Sequence, residues 1–199
     1  MTTAWHNKDK LPASMVNSNF KTLKESDHFS ALDECISKTI EVKSLLDLGC
    51  GIGEVGRVFT SFQYTGADLP HIVEGVSKIK NPHQGYIKFD IEKDDLSFLG
   101  GYDIILMNSF ISEIPNWYLA LTKVVFNSKK YVVLHRQSIT KEKSKLVEYK
   151  TYGGLSTTNS VINYGDLIEL FEKNGFEKIY ETDSFRYKSD FKSFVFKKK

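Results

Sequence analysis

Ser44-Leu45-Leu46-Asp47-Leu48-Gly49-Cys50-Gly51-Ile52-Gly53 is the stretch that decides the fold. A short apolar run reads as a buried strand, and alternating glycines close it with a tight turn. Val55, Val58 and Phe59 follow at helical spacing. The unit strand, glycine loop, helix then recurs downstream without its glycines. Gln63 to Ala67 is a second strand ending at Asp68, and Ile72, Val73, Val76 and Ile79 form a helix face behind Pro70, a first-turn proline. Tyr86 to Phe89 is a third strand ending at Asp90; Tyr102 to Met107 a fourth ending at Asn108; Ile114 to Val125 a helix; Tyr131 to Leu134 a fifth strand ending at His135. Such alternation predicts a parallel sheet covered on both faces, with all strand carboxyl ends along one edge. Asn163 to Asn174 is a helix stopped by Gly175. Glu177 to Thr182 and Phe191 to Lys197 are two antiparallel strands across a turn of about eight residues. The expected fold is therefore α/β: a Rossmann-like three-layer sandwich on a mostly parallel seven-stranded sheet with an antiparallel C-terminal hairpin.

Upstream, residues 1–25 are polar and read as a lead-in with a short helix. Ser26 is placed to cap a helix carrying Phe29, Leu32, Ile36 and Ile40. Residues 1–43 thus form an N-terminal lead-in or lid, and residues 44–199 the ligand-binding domain. Between the fifth strand and the last helix lies an insertion at about 138–162, where Lys141 to Lys150 is open to a helical reading and Thr151 to Ser160 is a loop.

Composition narrows the function. With 199 residues, 41% hydrophobic and 26% charged, the chain is ordinary for one globular domain. No apolar run approaches the length of a membrane span, and Met1 to His6 has no secretory character. Cys35 and Cys50 are the only cysteines and show no zinc or disulfide spacing. A cytoplasmic enzyme without a metal is the expectation. The net charge of +2 is too small for a nucleic-acid binder; Lys197-Lys198-Lys199 is only a basic tail.

The glycine loop and the strand-end acids carry the chemistry. Gly49 and Gly51 let the backbone approach a ligand closely. Asp68 stands about twenty residues after the loop begins, where an acid accepts from a ribose diol; its alternative role is a helix cap. Asp90, ending the third strand, is placed to accept from an adenine amino group beside the amide of Ile91, and it too has a capping alternative. Gly51-Ile52-Gly53-Glu54-Val55-Gly56 also matches the GxGxxG dinucleotide fingerprint. Two points oppose a nicotinamide enzyme. Asp47 would repel a diphosphate, whereas it suits an ammonium such as that of a methionine moiety. And a separate substrate domain has no room here.

Leu46 to Gly53 resembles the first motif of class I S-adenosylmethionine-dependent methyltransferases, Tyr64 to Asp68 their second, Phe89-Asp90-Ile91 their third, and Asn174-Gly175-Phe176 the step before their sixth strand. The resemblance spans about residues 40–199. It implies S-adenosylmethionine as cofactor, with Asp47, Gly49, Cys50 and Gly51 around the methionine part and Asp68 on both ribose hydroxyls. Leu69, Asp90 and Ile91 would lie at adenine, and Asn108 near the methionine end. The run Asn108-Ser109-Phe110-Ile111 lacks the prolines of base-amino methyltransferases, and no acidic trio suggests a catechol-type metal site.

In-line transfer from a sulfonium needs alignment and dryness, and a base only if the acceptor must lose a proton. His135 and Glu113 are the candidate bases, each with a structural alternative: strand-end packing for His135, a helix-start acid for Glu113. Tyr149 and Tyr152 are candidates for an acceptor wall or for packing the insertion, and Trp5 for a lid or for surface packing. The expected function is methyl transfer to a small-molecule acceptor, a sugar or natural-product intermediate. An NAD(P) oxidoreductase and a non-catalytic S-adenosylmethionine-binding module are the alternatives.

Overall fold

The computed structural model describes residues 4–18 and 22–199; the parts of the lead-in at 1–3 and 19–21 lie outside the described residues. In chain order the elements are α1 (Lys10–Asn17), α2 (Phe29–Ser37), β1 (Ser44–Leu48), α3 (Glu54–Val58), β2 (Gln63–Asp68), α4 (Pro70–Ile72) and α5 (Lys78–Lys80), joined by a π-helical stretch (Val73–Ser77). Then come β3 (Gly85–Lys88), β4 (Ile104–Asn108), α6 (Trp117–Asn127), β5 (Tyr131–Thr140), β6 (Lys145–Lys150), β7 (Ser156–Asn163), α7 (Tyr164–Lys173), β8 (Phe176–Phe185) and β9 (Lys188–Lys198).

Strands β3, β2, β1, β4 and β5 run parallel in that order, and β9 and β8 continue the sheet antiparallel beyond β5. Period-two alternation sorts the side chains into two layers. Leu45, Ile104, Leu106, Tyr131 and Val133 pack with Leu32, Cys35 and Ile36 of α2 and Val55 of α3. Leu46, Leu48, Ile105, Met107, Val132 and Leu134 pack with Leu121, Val124 and Val125 of α6 and Leu167, Leu170 and Phe171 of α7. The rings of Phe171 and Phe196 stack there, 3.6 Å apart. Both faces are buried, which is why the central strands read as continuous apolar runs.

Several expectations need correction. Lys141 to Lys150 is not helical: Lys145–Lys150 is strand β6, paired antiparallel with β7 from Lys145↔Val161 to Lys150↔Ser156. Its Lys and Glu residues favour helix by propensity, but the Thr- and Ser-rich β7 offers an edge, and tertiary pairing overrides a weak local preference. Strand β7 in turn pairs with β5 at Ile139↔Ile162 and Thr140↔Asn163, so the described sheet has nine strands. The terminal hairpin turns at Arg186-Tyr187 rather than over eight residues, because Phe185 pairs with Lys188. Ser26 does not cap α2; His28 precedes it, and the Ser26 hydroxyl donates back to the Leu23 carbonyl at 2.6 Å. Ile40 and Ile79 are 58% and 60% exposed, outside their helices' buried stripes. The helix expected from Ile114 begins at Trp117, after a single 3-10 turn at Ile111–Glu113. Among the described residues no helix is long and apolar enough to cross a membrane.

Candidate active site

At the carboxyl ends of β1, β2 and β4 lies a cavity of about 890 Å³, near the top of the roughly 300–1,000 Å³ range of ligand pockets. It is lined by Asp47, Gly49, Cys50, Gly51, Asp68, Leu69, Asp90, Ile91, Asn108, Glu113, Tyr149 and Tyr152, which are all the residues singled out from the sequence except His135.

The floor is the glycine loop. Gly49 and Cys50 donate their amides to the Ala67 carbonyl at 2.8 and 3.2 Å, fastening the loop to β2. Gly49 has φ +74, and a Cβ there would collide with the ring of Phe110. Gly51 has φ +52, and its amide donates to Asp68 Oδ2 at 2.9 Å; the Leu69 amide donates to Asp68 Oδ1 at 2.7 Å. Asp68 therefore holds loop and strand end together while lining the cavity. Burial pushes its carboxyl up to about 6 against those two amides. Cys50 contributes backbone; its thiol is buried and pushed up by desolvation and the nearby Asp68 and Asp47.

Asp47 is 1% exposed. Its Oδ2 accepts from the Tyr64 hydroxyl at 3.1 Å, and its Oδ1 has no hydrogen-bond partner. Desolvation raises its carboxyl to about 7, with Asp68 adding to the rise and Tyr64 and Arg136 opposing it. At the opposite end Asp90 accepts from the Glu92 amide at 3.1 Å and from Lys93 Nζ at 2.6 Å. Burial works to raise it, but these partners and His6 hold it below the ordinary range. Ligand atoms of His6, Asp90 and Glu92 lie within 4.8 Å of one another.

The far wall comes from the N-terminal segment and the β6–β7 insertion. Glu113 Oε2 accepts from Trp5 Nε1 at 3.0 Å and from the Tyr149 hydroxyl at 2.5 Å, and desolvation raises its pKa despite both bonds. The Trp5 and Tyr152 rings meet edge to face at 6.2 Å. Above the loop, Leu11 and Met15 of α1 pack on Ile72 and Val76, with Trp5, Ile52, Leu69 and Tyr152 around them.

His135 stands elsewhere. Alternation along β5 puts it on the α2 face with Tyr131 and Val133, 1% exposed. Its Nε2 lies 3.0 Å from His28 Nδ1 and its Nδ1 2.7 Å from Ser193 Oγ, which meets Ser184 Oγ at 2.8 Å. His28, unlike His135, lines the cavity. Burial and then the Arg136 charge push its imidazole down to about 3, so it is neutral near pH 7.

His28 and Arg136 are the residues that sequence reasoning missed. Arg136 follows from a β-bulge: β5 and β9 pair at Leu134↔Phe194 and Gln137↔Lys192, leaving His135 and Arg136 opposite Ser193 alone. Arg136 has φ +56, and its amide donates to Ser184 Oγ at 3.2 Å. The bulge turns the Arg136 side chain into the cavity, where Nε donates to Asn108 Oδ1 at 2.8 Å. No periodicity announces a bulge; the sequence signal was the polar run His135-Arg136-Gln137-Ser138 breaking an apolar strand.

The methyltransferase domain family matches residues 16–181. No curated protein matches the chain. Among solved structures, SAM-bound CalS10, an amino pentose methyltransferase from Micromonospora echinaspora involved in calicheamicin biosynthesis, is similar at TM-score 0.66 and 14% identity, covering 92% of this chain and 99% of that one. Streptomyces venezuelae DesVI is similar at TM-score 0.64 and 13% identity, over 87% and 91% of the two chains. The glycopeptide N-methyltransferase MtfA complexed with S-adenosylmethionine is similar at TM-score 0.63 and 10% identity, over 87% and 94%.

Proposed function

Since the chain belongs to the methyltransferase domain family, we propose that it moves a methyl group from S-adenosylmethionine to a small-molecule acceptor, a sugar or another natural-product intermediate. The cofactor, when bound, supplies an electrophilic methyl on a sulfonium. The observation that carries this reading is Asp47 Oδ1, a buried carboxylate oxygen without a donor. Left unsatisfied, such an atom costs free energy; a ligand ammonium satisfies it, and a dinucleotide's diphosphate would be repelled by it. That favours S-adenosylmethionine over a nicotinamide cofactor.

In this reading Asp47 takes the ammonium, Gly49, Cys50 and Gly51 offer backbone to the methionine part, and Asn108 faces the same end. Asp68 accepts from the ribose hydroxyls with its remaining lone pairs. Leu69, Asp90 and Ile91 hold adenine. Residues 4–18 serve as a lid, with Met15 and Trp5 excluding water, while α2, the later part of the N-terminal segment, belongs to the core. Glu113, Tyr149 and Tyr152 form the acceptor wall. Where the acceptor must lose a proton, Glu113 is the better base of the cavity-lining groups: desolvation raises its carboxyl toward neutral pH and Trp5 and Tyr149 engage only Oε2, whereas His28, held by His135 behind it, is pushed down to about 3.

The acceptor class draws support from the cavity, large enough for cofactor and a compact second ligand, and from CalS10 and MtfA, whose acceptors are an amino pentose and a glycopeptide. Calorimetry with S-adenosylhomocysteine and NAD, followed by a labelled-methyl screen of amino sugars, hydroxylated sugars and glycopeptides, tests both halves. Binding of NAD without S-adenosylhomocysteine would refute the cofactor; binding without transfer to any acceptor would leave a cofactor-binding module.

A further inference from the structure

Arg136 is a charged group in the cavity that the cofactor assignment does not use. The residue is half-buried, and desolvation works to lower its pKa while nearby acidic groups oppose that. Its guanidinium makes one hydrogen bond, from Nε to Asn108 Oδ1. Among the described residues no further side-chain hydrogen bond engages the guanidinium, and the residue lines the cavity. No ion pair forms with any described carboxylate. Glu113 is turned to Trp5 and Tyr149, and Asp47 to Tyr64. A half-buried cation that lines a cavity with no described carboxylate paired to it is open to an anionic ligand, and the bulge and left-handed backbone that hold it there add strain.

We propose, building on the methyltransferase reading above, that Arg136 is the receptor for a carboxylate on the methyl acceptor. The guanidinium fork matches a carboxylate with two parallel hydrogen bonds. A phosphate would fit the fork as well, but Asp47, Asp68 and Glu113 share the cavity and disfavour a second negative charge. Arg136 lines the cavity together with Glu113, Tyr149 and Tyr152 of the acceptor wall as well as Asn108, and comparison of S-adenosylhomocysteine with 5′-methylthioadenosine separates the acceptor's carboxylate from the cofactor's own. An acceptor anchored there lies between that wall and Asn108. The acceptor is thus an acidic small molecule, such as a sugar acid or an amino or hydroxy acid, and its neutral ester or amide is a poor substrate.

The test uses the full chain saturated with S-adenosylhomocysteine and matched pairs of acids and primary amides: benzoate with benzamide, and their 4-hydroxy and 4-amino derivatives. The wild type is expected to bind the acid of at least one pair tenfold or more above its amide. Arg136→Gln should abolish that preference and Arg136→Lys keep part of it, while S-adenosylhomocysteine binds all three proteins within threefold. Two outcomes overturn the proposal: no acid preferred in the wild type, including no acid binding at all, or a preference that survives in folded Arg136→Gln. A third does so differently. If Arg136→Gln weakens S-adenosylhomocysteine but not 5′-methylthioadenosine, which lacks the amino-acid moiety, the carboxylate is the cofactor's. Failure of the wild type to bind S-adenosylhomocysteine would instead refute the methyltransferase reading itself.

Discussion

Asp68 offers the sharpest test of the cofactor site, because its carboxylate does two jobs. One lone pair on each oxygen is used by the protein, accepting from the Gly51 amide at 2.9 Å and the Leu69 amide at 2.7 Å. The rest faces the cavity. Two ribose hydroxyls donating to a charged acceptor contribute about 1.5–3 kcal/mol each at most, and water replaces part of that when the carboxylate is removed. Asp68→Ala should therefore weaken S-adenosylhomocysteine by roughly a hundredfold, or ~2.7 kcal/mol. Asp68→Asn keeps one oxygen but aims an amide at either a backbone N–H or a ribose hydroxyl, so roughly tenfold is expected. Neither variant should unfold. The two backbone amides lose a partner at about 1 kcal/mol each, but a carboxyl held up near pKa 6 also sheds the cost of burying its charge. The assay is calorimetry with S-adenosylhomocysteine, with thermal melts by circular dichroism as control. Affinity within twofold of wild type in a folded Asp68→Ala protein would remove Asp68 from the ligand and with it the assignment of the β2 end to ribose.

Affinity for S-adenosylhomocysteine should rise from pH 6 to pH 8, by up to about tenfold per unit on the acid side, because the ammonium requires ionised Asp47 and its carboxyl sits near 7; Asp47→Asn should bind weakly with a flat profile, and a flat wild-type profile would contradict the pairing. In the unliganded protein the same raised pKa has the opposite effect on folding. Between about pH 4 and 7 the folded state holds more protons than the unfolded, so the Asp47 and Asp68 contributions to stability decline as pH rises through that window, a trend that melts of Asp47→Asn should lack in part. Replacing Glu113 with Gln should lower kcat at least tenfold on an acceptor that must lose a proton while leaving cofactor affinity unchanged, and His28→Gln should cost less; equal loss of binding and rate in Glu113→Gln would make it structural. Gly49→Ala forces a Cβ into the Phe110 ring at a left-handed backbone position; a stability loss of about 1–3 kcal/mol is expected in chemical denaturation, together with weaker cofactor binding.

Much of the fold was legible because it rests on local signals. Apolar runs of strand length, a glycine loop after the first and helical spacing between them specify a parallel sheet, and acids at strand ends follow from where that topology puts its carboxyl edge. Asp47, Asp68 and Asp90 come together for that reason alone. What tertiary structure decided lies where distant segments meet. Lys145–Lys150 became a strand only because β7 presented an edge to it. His135 ends the apolar run that the sequence shows, yet strand alternation turns it onto the α2 face, where it meets His28 from a segment 107 residues away. Arg136 reaches the cavity through a bulge created by its pairing with β9, a strand near the other end of the chain. A sequence records periodicity along one element; it does not record register between elements, and the far wall of this cavity is built from register.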